Sequence, residues 1–229
     1  MIETSHLVSV IMSVYNSSMT VEDSIKSILN QSYSNIELLI CNDGSNDETQ
    51  NILEIFEKKD SRVRIFNNSE NLGLTASLNI LISESRGTFI ARQDADDISL
   101  PGRLEEQLAY CVVKNYKVVT TRSINKLNNK GMPRFSHFIP YRILIRFKNP
   151  FIHGTLLISK ELLNEVGNYD ENFTFAQDYK LFRDLIDKRI KIKKLWKKLY
   201  ILNTVNNISN IYKNDQKYFA NCVKSRKIP

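Results

Sequence analysis

Cysteine and glycine are scarce in this chain, and long apolar runs are missing from it. With no stretch of about 18 consecutive apolar residues, a membrane-spanning helix is excluded. The leading Met1-Ile2-Glu3-Thr4-Ser5-His6 lacks the basic stretch that opens a secretory leader, and the apolar segment after it, Leu7 to Tyr15, reads as a buried strand. The 3 cysteines, Cys41, Cys111 and Cys222, are odd in number and far apart. They form neither a disulfide framework nor a Cys-x-x-Cys metal pair, so a reducing, cytosolic compartment is expected. The 7 glycines are informative by where they do not fall. The first strand ends Met12-Ser13-Val14-Tyr15-Asn16, with neither the Gly-x-Gly-x-x-Gly of dinucleotide folds nor the Gly-Lys-Ser/Thr of phosphate loops. A phosphate ligand therefore cannot be held mainly by a glycine nest.

What is present is ordinary globular material: 229 residues, 42% hydrophobic and 25% charged, enough for one α/β domain with a sizeable core. Short β-branched runs predict strands at Leu7–Val14, Ile36–Cys41, Val63–Phe66, Thr88–Ala91 and Lys117–Thr121. Between them, apolar residues recur at helical spacing: Val21, Ile25, Ile28 and Leu29; Ile52, Ile55 and Phe56; Leu74, Leu78 and Leu81. Thr20 is expected to cap the first helix, and Asn46 or Asp47 the helix carrying Glu48. This alternation predicts a Rossmann-like, mostly parallel sheet with helices on both faces and the strand C-termini along one ligand-binding edge. Past Thr121, Asn125 to Pro133 reads as a loop or short hairpin, Arg134 to Phe151 as an apolar stretch between Pro140 and Pro150, and Gly154 to Ser159 as a strand. Lys160 to Val166 reads as a short helix, Gln177 to Lys188 as a longer one, and Ile190 to Asn203 as two short strands. One domain over 1–229 is expected, with a nucleotide-binding half (1–121) and an acceptor half (122–229).

The net charge of +7 is uneven, because Arg183 to Lys198 holds eight basic residues against Asp184 and Asp187. Such a run suits anionic lipid, an acidic glycan or nucleic acid, or is a solvated face. Trp196 lies within it, expected in the core, with an interfacial anchor as the alternative.

Acids at strand ends carry the chemistry. Asp43 follows the second strand, and Asp94, Asp96 and Asp97 follow the fourth, so the topology crowds four carboxylates onto one edge. Their repulsion calls for a cation, and oxygen donors suit Mg²⁺ or Mn²⁺, which completes its shell with substrate phosphates. The competing reading is helix capping near Leu100-Pro101, a role expected of Asp97. Arg103 is expected to pair with this cluster.

Val8 to Asn16, Asn42-Asp43-Gly44-Ser45, Asn71-Leu72-Gly73-Leu74 with Asn79, and Asp94-Ala95-Asp96-Asp97 with Arg103 and Gln107 together resemble glycosyltransferase family 2. His153-Gly154-Thr155, Gly167-Asn168-Tyr169-Asp170 and Gln177-Asp178-Tyr179 continue the resemblance in order, over residues 7 to 203. The resemblance implies a GT-A fold and an inverting transfer from a nucleotide-sugar, most often a UDP-sugar, onto a hydroxyl of a glycan or lipid-linked saccharide. By that likeness Val14, Tyr15, Asn16, Asp43, Asn71, Gly73, Asp94 and Ala95 serve the donor nucleotide, and Asp96 with Asp94 binds Mn²⁺ or Mg²⁺. Asp178 is the general base, with an acid at a helix N-terminus as the competing reading. His153, Gly154 and Gln177 lie on the acceptor side. Asn203 stands where many relatives carry a metal-binding histidine, and its carbonyl can substitute. No nucleic-acid partner is expected, and the basic run with Trp196 suits a peripheral place on the inner leaflet. The few residues past the core speak against a processive synthase. Two other readings remain: a binding module of the same fold, and a sugar nucleotidyltransferase, which needs a glycine-rich basic loop that Ser13 to Ser18 lacks.

Overall fold

The β-branched runs form the strands, and the amphipathic segments between them form the helices. In the computed structural model, which describes residues 6–133, 136, 138–205 and 212–229, the first half alternates throughout. Its elements are β1 (Val8–Val14), α1 (Val21–Leu29), β2 (Ile36–Asn42), α2 (Thr49–Lys59), β3 (Val63–Asn67), α3 (Leu74–Glu84) and β4 (Phe89–Arg92). β3, β2, β1 and β4 lie side by side and parallel. Of the segments read above, Met1 to Ser5, Arg134, Phe135 and His137 fall outside the described residues.

The second half extends the same sheet. It comprises β5 (Ile98–Ser99), α4 (Arg103–Lys114), β6 (Val118–Asn125), β7 (Gly131–Met132), α5 (Tyr141–Leu144), a 3₁₀ turn (His153–Thr155) and β8 (Leu157–Ser159). α6 (Lys160–Val166), α7 (Gln177–Asp187), β9 (Ile192–Leu202) and α8 (Lys213–Ser225) follow. The order is β3-β2-β1-β4-β8-β6-β9-β5, with β7 paired to β6 in the short hairpin expected near Asn125. β8 runs antiparallel to both β4 and β6, so it joins the parallel half to the mixed half.

Side-chain alternation sorts the core onto the two sheet faces. Leu39 and Cys41 of β2 join Leu78 and Leu81 of α3, Leu162 and Leu163 of α6 and Phe182 of α7. Leu38 and Ile40 point the other way, toward Val21, Ile25 and Ile28 of α1, Leu53 of α2 and Leu104 of α4.

Local readings need correction in five places. The inward residue of α2 is Leu53, fully buried, whereas Ile55 is 48% exposed. Thr20 precedes α1 without a side-chain cap bond, its hydroxyl turning back to Ser17 O. Asp47 does accept the Thr49 N–H at 3.0 Å, but Glu48 flanks α2 rather than entering it. The chain expected as a strand from Gly154 first makes a 3₁₀ turn, closed by Thr155 N–H to Ile152 O, and β9 is one strand whose pairing with β6 slips twice.

Candidate active site

β1, β2 and β4 end together at Val14, Asn42 and Arg92, and the loops that follow them form one wall of an open cleft of about 1120 Å³. A cleft at the strand C-termini is where an open α/β sheet offers free backbone groups and helix N-termini. The facing wall comes from the 3₁₀ turn, the start of α7, the segment after β9 and one side of α8. Tyr15, Asn16, Asp43, Asn71 and Gly73 lie on the first wall, and Asp94, Ala95 and Asp96 on the floor loop. His153, Gly154, Gln177, Asp178 and Asn203 also line the cleft. Val14 is the exception. Its side chain is 1% exposed in the core, and its carbonyl accepts the Asp43 N–H at 2.9 Å.

On the first wall, Asn16 adopts φ 47°, a left-handed conformation that asparagine tolerates. Its N–H donates to Ser45 Oγ at 3.0 Å and its Oδ1 accepts from Asn46 N–H at 2.9 Å, tying the loops after β1 and β2 together. Asp43 is 2% exposed, and its oxygens accept from Asn68 Nδ2 at 2.7 Å and from the N–H groups of Leu72 and Gly73 at 2.9 Å each. It therefore anchors the Asn71–Gly73 loop, whose Asn71 and Gly73 edge the cleft. Tyr15 is 47% exposed at the rim, a ring face open to a planar ligand.

The floor loop concentrates charge. Arg92, 2% exposed, reaches Asp94 Oδ1 with Nη2 at 2.6 Å and Ile11 O with Nη1 at 3.3 Å. Burial and the Asp94 charge push the Asp96 carboxyl up to about 6. Asp97 is raised further by burial and by both neighbouring acids, although the Asn203 N–H and the Tyr200 hydroxyl oppose the shift. Carboxylates so crowded favour bound protons or a cation, so the donor set fits a hard divalent ion. Among the described residues no group of three or more acids, histidines or cysteines converges as a closed cage. Asp94 and Asp96 both line the cleft, Asp94 with Oδ1 paired to Arg92. Asn203 lines the cleft too, but its Oδ1 already accepts the Val205 N–H at 3.1 Å.

Asp97 does not cap α4. That helix starts at Arg103 behind a left-handed Gly102, and Asp97 instead accepts the Asn203 N–H at 2.6 Å, pinning the end of β9. Arg103 does not ion-pair with the acids either. Fully buried beneath the Tyr200 ring, it donates through Nη1 to Arg92 O at 3.0 Å and Gly154 O at 2.8 Å. The cation that pairs with Asp94 is Arg92, the last residue of β4, whose direction the spacing does not reveal. Gly154 has no room for a side chain, since a Cβ would stand 2.2 Å from the Tyr200 hydroxyl and 2.7 Å from Asp94 Oδ2.

Across the cleft, Ala176 takes φ 55° just before α7, a turn that costs a non-glycine residue of order 1 kcal/mol or more. It delivers Asp178 in the first turn of α7 to the cleft wall. Asp178 Oδ2 accepts from Asn149 Nδ2 at 2.7 Å, and Oδ1 from Tyr179 N–H at 2.7 Å. His153 Nε2 lies 2.7 Å from the Tyr169 hydroxyl. Burial and the nearby Arg92 charge lower the His153 imidazole pKa, while Asp178 and Asp94 act against that shift. Both acids thus act on one histidine.

The basic run does not form one face. Lys197 pairs with Glu106, Lys193 lies 4.8 Å from the Tyr110 ring, and Arg183 binds Asp187. Trp196 is 57% exposed rather than in the core, edge-on to Phe138 at 5.3 Å with Arg122 over it at 4.9 Å.

Comparison with known proteins agrees with this geometry. The profile of Glycosyl transferase family 2 matches residues 9–183. EpsE of Bacillus subtilis is 38% identical over 166 residues, which cover 71% of this chain and 59% of that protein. The O-antigen biosynthesis glycosyltransferase WbnJ of Escherichia coli is 33% identical over 188 residues, 80% of this chain and 72% of WbnJ. Also from Escherichia coli, WfgD, a UDP-Glc:alpha-D-GlcNAc-diphosphoundecaprenol beta-1,3-glucosyltransferase, is 33% identical over 168 residues, 65% of this chain and 66% of WfgD. This chain thus spans about three-fifths to three-quarters of these relatives. Staphylococcus aureus TarS 1-349 in complex with UDP-GlcNAc shares the fold at TM-score 0.77 and 20% identity, covering 94% of this chain and 65% of TarS. The mannosyltransferase PcManGT of Pyrobaculum calidifontis, in complex with GDP-Man and Mn²⁺, shares it at 0.75 and 16%, covering 97% and 65%. The curled, mostly parallel sheet is the GT-A fold expected from the sequence.

Proposed function

The chain belongs to glycosyl transferase family 2, and from that premise we propose that it transfers a sugar, with inversion, from a nucleotide-diphosphate donor to an acceptor hydroxyl. The observation that carries this reading is that Asp94 and Asp96 on the floor and Asp178 on the facing wall open into the same cleft. In inversion the acceptor oxygen bonds to the anomeric carbon as the bond to the diphosphate oxygen breaks on the opposite face. Asp178 takes the hydroxyl proton, a role worth roughly 10²–10⁴-fold in rate. The rim loops holding Tyr15, Asn16, Asn71 and Gly73 receive the nucleoside. Asp94 and Asp96 would hold Mn²⁺ or Mg²⁺, which supplies charge stabilisation for the departing diphosphate.

We take the donor as a UDP-sugar, in line with the donor printed for WfgD and the UDP-GlcNAc bound to TarS. The acceptor is a glycan or lipid-linked saccharide of a surface-polysaccharide pathway, and residues 1–121 and 122–229 act as donor and acceptor halves of one unit. The test is a thermal-shift screen of UDP-glucose, UDP-galactose, UDP-N-acetylglucosamine and GDP-mannose, with and without Mn²⁺, followed by nucleoside diphosphate release. A donor that shifts melting only with Mn²⁺ and is slowly cleaved supports the reading. Binding without cleavage under any acceptor leaves a non-catalytic module.

A peripheral place on the inner leaflet is a second reading, favoured by the exposed Trp196–Phe138 pair beside Arg122. Among the described residues no helix is long and apolar enough to cross a membrane. Vesicles rich in phosphatidylglycerol should sediment the chain at low salt, and less so after Trp196→Ala. Absence of sedimentation ends this reading.

A further inference from the structure

The segment between α5 and the 3₁₀ turn carries Asn149, a cleft-lining residue with no part in the scheme above. Its amide is not free to turn. Oδ1 accepts the Phe151 N–H at 3.0 Å, which fixes Nδ2 as the end that donates 2.7 Å to Asp178 Oδ2. The segment is itself fastened to the helix that bears Asp178. Phe151 stacks on Phe182 of α7 with centroids 4.3 Å apart, and the Tyr179 hydroxyl donates to Ile145 O at 2.6 Å. The amide is thus held at two points against the helix whose first-turn carboxylate it grips.

The choice of a neutral donor has a chemical consequence. Among the described residues no cation lies within ion-pair distance of Asp178, and its side-chain partner is this amide. The titratable groups within its electrostatic reach are His153 and Tyr169, one from the 3₁₀ turn and one from the loop after α6, and Lys148 also lines the cleft. A cation in contact would hold the carboxylate ionised but spend its basicity. An amide orients it, leaving lone pairs toward the cleft and its charge uncancelled.

We propose that Asn149 is the positioning residue for Asp178, holding one carboxylate oxygen so that the other lone pairs face the acceptor hydroxyl. This rests on the reading of Asp178 as the base, and the experiment separates the two. The probe is whichever of UDP-glucose, UDP-galactose, UDP-N-acetylglucosamine and GDP-mannose gives the largest melting shift with Mn²⁺, followed by nucleoside diphosphate release to water at neutral pH over a range of donor concentrations. Asn149→Ala removes the donated bond, and kcat/KM at neutral pH is expected to fall about 10- to 100-fold. The loss is expected in kcat with the donor KM unchanged, because the bond orients the carboxylate rather than the donor. Asn149→Asp, the same shape with a like charge in place of the donor, is expected to lose at least as much kcat and can be read even if Asn149→Ala fails to fold. The donor-induced melting shift stays unchanged in both. An unchanged kcat in both variants, or a rate loss confined to KM, overturns the positioning role. Undiminished turnover in Asp178→Asn instead removes the base reading beneath it.

Discussion

The backbone N–H of Asp94 donates to the phenolic oxygen of Tyr200 at 3.1 Å, linking the loop after β4 to a strand more than a hundred residues later. Tyr200 is fully buried, and its hydroxyl also helps hold the Asp97 carboxylate. The acidic loop is therefore held from below by a residue that never reaches the cleft surface. Tyr200→Phe deletes one oxygen and leaves a backbone donor and a buried carboxylate short of a partner. The expected cost is about 1–3 kcal/mol in stability. Denaturant midpoints measure it directly, and the Mn²⁺ needed for half-maximal donor stabilisation should rise, because Asp94 loses its backbone anchor.

Gly154→Ala strikes the same junction from the other side. The added methyl would meet the Tyr200 hydroxyl at 2.2 Å and Asp94 Oδ2 at 2.7 Å, so one of them must move. Arg103, which holds Gly154 O and Arg92 O together, blocks the backbone from retreating. Overpacking of this kind costs about 1–3 kcal/mol. The variant is expected to melt lower and to lose the Mn²⁺-dependent donor shift, which calorimetry with and without the ion can resolve.

Gly154 also marks how far the sequence could be read. Period-2 and helical-period patterns carried the strands and helices of the first half, because each buries one face against the sheet and the pattern records that face. The same patterns mislead where tertiary contacts decide. Trp196 read as core, yet β9 lies near the sheet margin, so alternate side chains are left outside. The acids were legible as a cluster because they follow strands whose ends the topology aligns. Their partners were not, since Arg92, Tyr200 and Asn149 act through direction and distance, which spacing does not encode. Val14 shows the converse: it belongs to the motif but serves the core, only its carbonyl facing the functional loop. Gly154, placed on the acceptor side by the resemblance, makes room for a tyrosine hydroxyl and a carboxylate, neither of which the spacing indicated.

Asp96→Asn should raise stability and remove function together. Burial and the Asp94 charge make the ionised Asp96 an unfavourable group at neutral pH, with its pKa pushed up to about 6. A neutral amide of the same shape relieves that repulsion, so the melting temperature without metal is expected to rise by a few degrees. The Mn²⁺-dependent donor shift should disappear, because one of two carboxylate donors is gone. Equal melting of both proteins without metal, or an intact Mn²⁺ response in the variant, would count against the cation site.

At the opposite end of β2, Glu37 offers a control that separates stability from activity. Its carboxylate is 6% exposed and accepts from Ser9 Oγ and Arg86 N–H at 2.6 Å each and from Arg64 Nη1 at 3.2 Å. Burial alone would raise its pKa, but these donors outweigh burial and hold it below the ordinary 4.5. A depressed folded-state pKa means that the ionised form stabilises the fold above the unfolded-state value, and that this contribution is lost as pH falls through the folded one. Glu37→Gln keeps the shape and removes the charge. It is expected to cost about 1–3 kcal/mol at neutral pH, a difference that narrows as the wild type is titrated through the carboxylate range. Its lowered melting temperature should be accompanied by unchanged donor affinity and turnover, since Glu37 sits at the end of β2 remote from Asn42 and the cleft. A penalty that persists undiminished below pH 4.5 would show that packing, not the ionised carboxylate, supports this end of the sheet.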